Sequence, residues 1–90
     1  MGVAMPRFFF HVCDGIVKPD TVGTELRSVG QARMKANRLA AAVLIETPHA
    51  IWHGEDRTIE VTNENGLIVF VVQLKAIEAP DLRTVSDELE

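Results

Sequence analysis

Arg57-Thr58-Ile59-Glu60-Val61-Thr62-Asn63-Glu64-Asn65-Gly66-Leu67-Ile68-Val69-Phe70-Val71-Val72-Gln73-Leu74-Lys75 decides the fold class. Its first six residues alternate polar and apolar, the two-residue period of a strand with one buried face. Asn63 to Gly66 is a hairpin turn, because Asn and Gly tolerate the positive φ that tight connections between strands demand. Leu67 to Lys75 follows as a second, more apolar strand. Two strands alone are at best marginally stable in water. The hairpin therefore needs another strand beside it and a layer over its apolar face.

The preceding sequence supplies both. Arg7-Phe8-Phe9-Phe10-His11-Val12-Cys13 is aromatic and β-branched, and Asp14-Gly15 closes it as a turn. Ile16-Val17-Lys18 adds a short strand that Pro19-Asp20 ends, and Thr21 to Arg27 reads as loop. Ser28-Val29-Gly30-Gln31 is a capping box, in which the Ser hydroxyl takes the amide of the third helical residue and Gln returns to the cap amide. The helix runs to about Glu46, where Thr47-Pro48 stops it. Val29, Ala32, Ala36, Leu39, Ala40 and Val43 form its buried stripe. Gln31, Arg33, Lys35 and Arg38 lie opposite. From Ala40 to Ile45 the helix is apolar all round, which predicts cover for a second face. Residues 49–55 read as a loop in which Trp52 plugs the edge of the core.

These elements specify an α+β fold: a small antiparallel sheet of three main strands, with a short fourth, and one helix packed on one face. A crossover helix makes the first strand and the Ile59 strand parallel. Placing the Leu67 strand between them makes every neighbour antiparallel and centres the most apolar strand. The expected order is first–third–second. Phe8, Phe10, Ile59, Val61, Phe70 and Val72 then meet the helix. Phe9, Leu67, Val69 and Val71 share the other face, edged by His11, Thr58, Glu60, Gln73 and Lys75. Four large apolar residues on an uncovered face point to self-association or a partner. The candidate interface residues are Phe9, Val69 and Val71 on the sheet, or Ala41, Leu44 and Ile45 on the helix. The bland alternative is that the loop or the C-terminal segment folds over that face.

Ninety residues make one domain. Residues 1–4 read as an extension before a second Met, 5–79 as the domain, and 80–90 as an acidic tail. Apolar residues are 47% and charged residues 24% of the chain, with ten Gly plus Pro, and the mean hydropathy is +0.10. That is a globular composition. The net charge is −4; four acids against one base from Asp81 onward hold −3 of it and leave −1 on the rest. A near-neutral body with an acidic end is a poor nucleic-acid binder. The one basic cluster, Arg33, Lys35 and Arg38 with Arg27 before it, reads as a solvated helix face. The longest apolar run, Leu67 to Val72, is too short to span a bilayer. A lone cysteine excludes an internal disulfide, and a reducing cytoplasm is the expected location. No secretory or lipidation pattern opens the chain.

Candidate metal ligands are His11 and Cys13, two residues apart on one strand face, and His49 and His53 with four-residue spacing. Pro48 and Gly54 bracket the latter pair and disfavour a regular helix there. Satisfied or solvated histidines are the simpler reading. Cys13 and His11 are also the one Cys/His pair for nucleophilic chemistry, but the two-residue offset does not place thiolate and imidazole in contact. No glycine-rich phosphate loop is present. The expectation is no catalytic residue and no cofactor.

Met5-Pro6-Arg7-Phe8-Phe9-Phe10-His11-Val12, then Asp14-Gly15, then Asp20 and Gly23-Thr24-Glu25-Leu26 resemble a family of short bacterial proteins of unknown function. Its chains open with Met-Pro-Arg, aromatics and His-Val-x-Asp-Gly. They continue with Asp-x-x-Gly-x-Glu-Leu, an Ala/Arg-rich helix and a closing hairpin. The resemblance spans roughly residues 5–76 and implies a standalone single domain, with no activity, cofactor or substrate to carry over. Cys13 stands where the family often has Arg, which weakens a catalytic or zinc role for it. More remotely, the arrangement is similar to small bacterial antitoxin domains, an analogy of fold. The functional expectation is a small non-catalytic cytoplasmic domain that works by binding, as a homodimer. The alternatives are a regulatory partner of another protein in the antitoxin manner and a small metal-binding protein. Neither nucleic acid nor membrane is an expected partner.

Overall fold

The computed structural model describes residues 5–54, 56–77 and 79. The N-terminal extension and the acidic tail read from the sequence lie outside the described residues. The chain forms strand β1 (Arg7–Cys13), short strands β2 (Val17–Lys18) and β3 (Thr24–Glu25), helix α1 (Val29–Glu46), and strands β4 (Arg57–Thr62) and β5 (Ile68–Leu74). A single 3-10 turn, Ala50–His53, links α1 to β4. This is the α+β class, one helix on one face of an antiparallel sheet.

The strand order corrects the expectation. It is β2-β1-β4-β5, with β3 also on β1, so β4 is central and β5 is an edge. β1 and β4 are antiparallel: Phe9 pairs with Thr62, His11 with Glu60 and Cys13 with Thr58. The reason lies in the segment after β1. β2 turns back on the end of β1 (Cys13 opposite Val17), and β3 pairs with its beginning (Arg7 opposite Glu25). The chain has therefore returned to the start of β1 before α1 begins. Eighteen helical residues rise about 27 Å, enough to travel the whole length of β1. β4 then enters opposite Cys13 and runs back. The rule for parallel crossovers does not apply, because the connection has reversed before the helix starts.

The core is Phe8, Phe10, Ile59 and Val61 under Ala32, Ala36 and Ala40. The small alanines let the helix lie close to the sheet, and α1 packs chiefly on β4 and β5. Leu39 and Val43 are half-buried beside them, whereas Val29 is exposed. Ser28 caps the helix as read, its Oγ accepting the Gln31 N–H at 3.2 Å. The return bond differs: Gln31 Oε1 accepts the N–H of Arg27, one residue before the cap, at 2.9 Å.

Four further expectations change. Val69 is a β-bulge residue, since Val61 pairs with Phe70 and Thr62 with Ile68. The extra residue reverses the facing beyond it, so Val69 packs against the core and Ile68 takes its place on the open face. Among the described residues nothing covers the second apolar face of α1, where Ile45 is 78% exposed. Trp52 is exposed rather than a plug, held on a turn that stands off the core. Leu67 belongs to the hairpin turn, where Asn63 Oδ1 accepts the amides of Asn65 and Leu67.

Candidate functional site

The two edges of the sheet differ. Beside β1, the chain seals its own edge. β3 pairs with the first part of β1 and β2 with the last. Between them the Asp20 carboxylate stands in for a strand: its Oδ2 accepts the N–H of Phe10 at 3.1 Å. Its Oδ1 accepts the amides of Val22 and Gly23 at 3.0 Å each, which makes the tight local turn that Asp favours. The Asp20 N–H donates to His11 Nδ1 at 3.1 Å. With Nδ1 an acceptor, the neutral ring carries its proton on Nε2 and donates to Thr62 Oγ1, 3.0 Å away. Thr62 is buried, so this bond satisfies a hydroxyl cut off from water.

Arg7 ties the loop from outside. Its Nη1 donates to the carbonyl of Val22 at 2.9 Å and its Nη2 to Glu25 at 2.7 Å. The Leu26 N–H donates to the carbonyl of Pro6 at 3.0 Å. Gly23 has φ +76°, and a Cβ there would stand 2.8 Å from Phe9 Cε2 and from the Arg7 side chain. Only glycine fits both the backbone and the space. The loop thus lies on Phe9, and part of the open face is covered by the chain itself.

Electrostatics follow from these bonds. Partial burial pushes the Asp20 pKa up, but the amides of Gly23, Phe10 and Val22 outweigh it, leaving the carboxyl below its usual 3.8. Asp14 is also lowered, first by its hydrogen bond with Lys18 at 3.1 Å.

Of the metal-ligand candidates, His11 is engaged at both ring nitrogens. Cys13 is half-buried, and His49 and His53 are exposed on the turn after α1. No group of three or more His, Cys, Asp or Glu able to hold a metal ion occurs among the described residues. Of the interface candidates, Phe9 lies beneath Gly23, and Val69 packs on the core. The polar row Thr58, Glu60, Thr62 of the central strand separates Phe9 from Val71. Ala41, Leu44 and Ile45 are exposed on α1. Sequence reasoning passed over Asp20, Arg7 and Thr62 as a group; the signal available was the Asp-x-x-Gly spacing of a side-chain-supported turn.

The β5 edge has no such cover among the described residues. Ile68 and Val71 are 58% and 43% exposed, and Phe70, Val72 and Leu74 are only half-buried although they face the helix layer. From Leu67 to Leu74 there is no charge and no proline, two of the devices by which edge strands are blunted, and the Val69 bulge is the one such device it carries. A shallow cleft also opens between β3 and α1, bordered by Leu26, Met34 and Arg38. Lys35 within it is already held by Thr24 Oγ1 at 2.9 Å and by the Phe10 ring, 5.3 Å from its centroid. That contact corrects the reading of Lys35 as fully solvated.

No described helix is long and apolar enough to cross a membrane. No curated protein and no solved structure matches the chain. A family model, the domain of unknown function DUF6894, matches residues 7–75, from the first residue of β1 to just past the end of β5. The matched span takes in the sealed edge, the helix and the bare edge alike, and the chain belongs to the DUF6894 family.

Proposed function

We propose that this protein is a small non-catalytic interaction domain of the bacterial cytoplasm that works by binding protein and associates with itself. The observation that carries this reading is the contrast between the two sheet edges. One is closed by Asp20, β2 and β3, and the other presents an uncharged, largely apolar strand. Unpaired N–H and C=O groups along such a strand accept another chain by strand addition. The non-catalytic part is supported by the commitments of His11, Asp20 and Arg7, whose polar atoms are taken up in holding the loop on β1. Light scattering coupled to gel filtration tests it. The expected mass is about twice the 9.9 kDa of one chain at micromolar concentration. A monomer throughout the accessible concentration range would reject self-association. Binding to another protein in the antitoxin manner is the second reading, because the same bare edge can take a strand of foreign sequence.

A further inference from the structure

We infer that the second copy docks on β5 itself, antiparallel about a two-fold axis perpendicular to the sheet, and that the β5-facing flank of α1, with Asn37 and Leu44, completes the interface. The inference rests on the self-association proposed above and names its surface.

The helix flank follows from angles. Ala36 points at the sheet, being fully buried. At about 100° per residue, Lys35 lies about 100° to one side of it, and Asn37 about 100° and Leu44 about 80° to the other. Lys35 reaches Thr24 and Phe10, so its side of the helix is the β1–β3 side. Asn37 and Leu44 therefore turn toward β5. Leu44 is 36% exposed and Asn37 is exposed. Ile45 lies about 180° from Ala36 by the same count and faces away from the sheet. The edge strand and the helix flank thus form one continuous side of a two-layer body.

A two-fold axis perpendicular to the sheet keeps both helices on the same side and makes the patch meet itself. Seven strand residues span about 24 Å, and sheet plus helix stand about 20 Å tall. The flat footprint is roughly 480 Å², which side-chain relief raises toward the ~800 Å² per partner that stable interfaces bury. Pairing completes the cover over Phe70, Val72 and Leu74, the core-facing residues left half-exposed in one chain. β5 carries no charge to oppose its own copy.

The test is the dimer dissociation constant of three lysine variants, each checked for folding by circular dichroism. Val71→Lys places like charges near the axis, and Leu44→Lys charges the helix flank. Ile45→Lys alters a residue pointing away from the interface. The first two are expected to weaken the dimer by at least about tenfold, and the third to leave it unchanged. Dimers that survive Val71→Lys but dissociate with Ile45→Lys would overturn the β5 assignment while self-association stands. A monomeric wild type would overturn both. If Val71→Lys fails to fold, hydrogen exchange on the wild type decides. Amides of Ile68–Leu74 should gain protection as concentration rises through the dimer range, and no gain there would overturn the assignment. Protection that appears only on adding host lysate would assign the edge to a foreign strand instead.

Discussion

His11 and Asp20 hold each other through the backbone as well as the side chain: the imidazole Nδ1 accepts the Asp20 N–H at 3.1 Å, and the Asp20 carboxylate accepts the N–H of Phe10, the residue before His11, at 3.1 Å. Each group needs the other in place. This reciprocal pair closes one edge of the sheet between β2 and β3, and it makes the opposite edge the unfinished one.

Asp20 gives the fold an acid-sensitive clasp. Its folded pKa is below 3.8, so the folded state holds its proton less tightly than the unfolded state. The stability it contributes is complete above the ordinary carboxylate value and is lost as pH falls through the folded one. Asp20→Asn keeps one acceptor oxygen and should cost about 1–3 kcal/mol at neutral pH. It should also flatten the loss of stability below about pH 4. Urea unfolding at a series of pH values measures both. Asp14→Asn is the control, since the Asp14 pKa is lowered too, but by the exposed Lys18, its own turn and the charge of Arg57 rather than by bonds that close the β1 edge. An unchanged acid slope in Asp20→Asn would refute the clasp.

Gly23→Ala should be more damaging than Gly66→Ala. Both glycines have positive φ, +76° and +78°, and both substitutions incur the left-handed cost of roughly 1–2 kcal/mol. Only at Gly23 does the new methyl meet Phe9 and Arg7, whereas Gly66 has open space. Thermal melts of the two variants isolate the contact. Equal losses would mean that the loop does not rest on Phe9.

The central strand, not the most apolar one, should dominate stability. Val61→Ala removes two methyl groups from a wholly buried site and should cost about 2–3 kcal/mol. Val72→Ala makes the same deletion on the edge strand, where the side chain is half-buried, and should cost about half as much in the monomer. Chemical denaturation at low protein concentration ranks them. The reverse order would restore β5 to the centre of the sheet.

Ser28→Ala should shorten the helix from its start at a cost of about 1 kcal/mol. The Ser28 hydroxyl is the side-chain acceptor for the Gln31 amide at the helix N-terminus. A helical circular-dichroism signal and melting temperature identical to wild type would show that the cap carries no stability here.

The elements were legible in the chain because their causes are local. The alternation of Arg57 to Thr62, the Asn63–Gly66 turn and the Ser28 cap each act within a few residues, and each recurs in the structure. The buried face of β1 followed from Phe8 and Phe10 at a two-residue period. The strand order did not follow, because hydrophobicity ranks β5 above β4 and says nothing of where the helix starts. That start was set by Glu25 returning to Arg7, a pairing between residues 18 positions apart that only the folded loop brings together. The facing of Val69 was likewise undecidable from parity, since a bulge at Val61–Thr62 shifts the period within the strand. The sequence by itself determined the three long strands, the short β2 and the helix, through periodicity and capping, while β3 formed within a stretch that read as loop, Thr21 to Arg27. The tertiary structure alone decided which edge is closed and which is bare, because an edge is sealed by hydrogen bonds between groups far apart in the chain, and periodicity carries no information about distant partners.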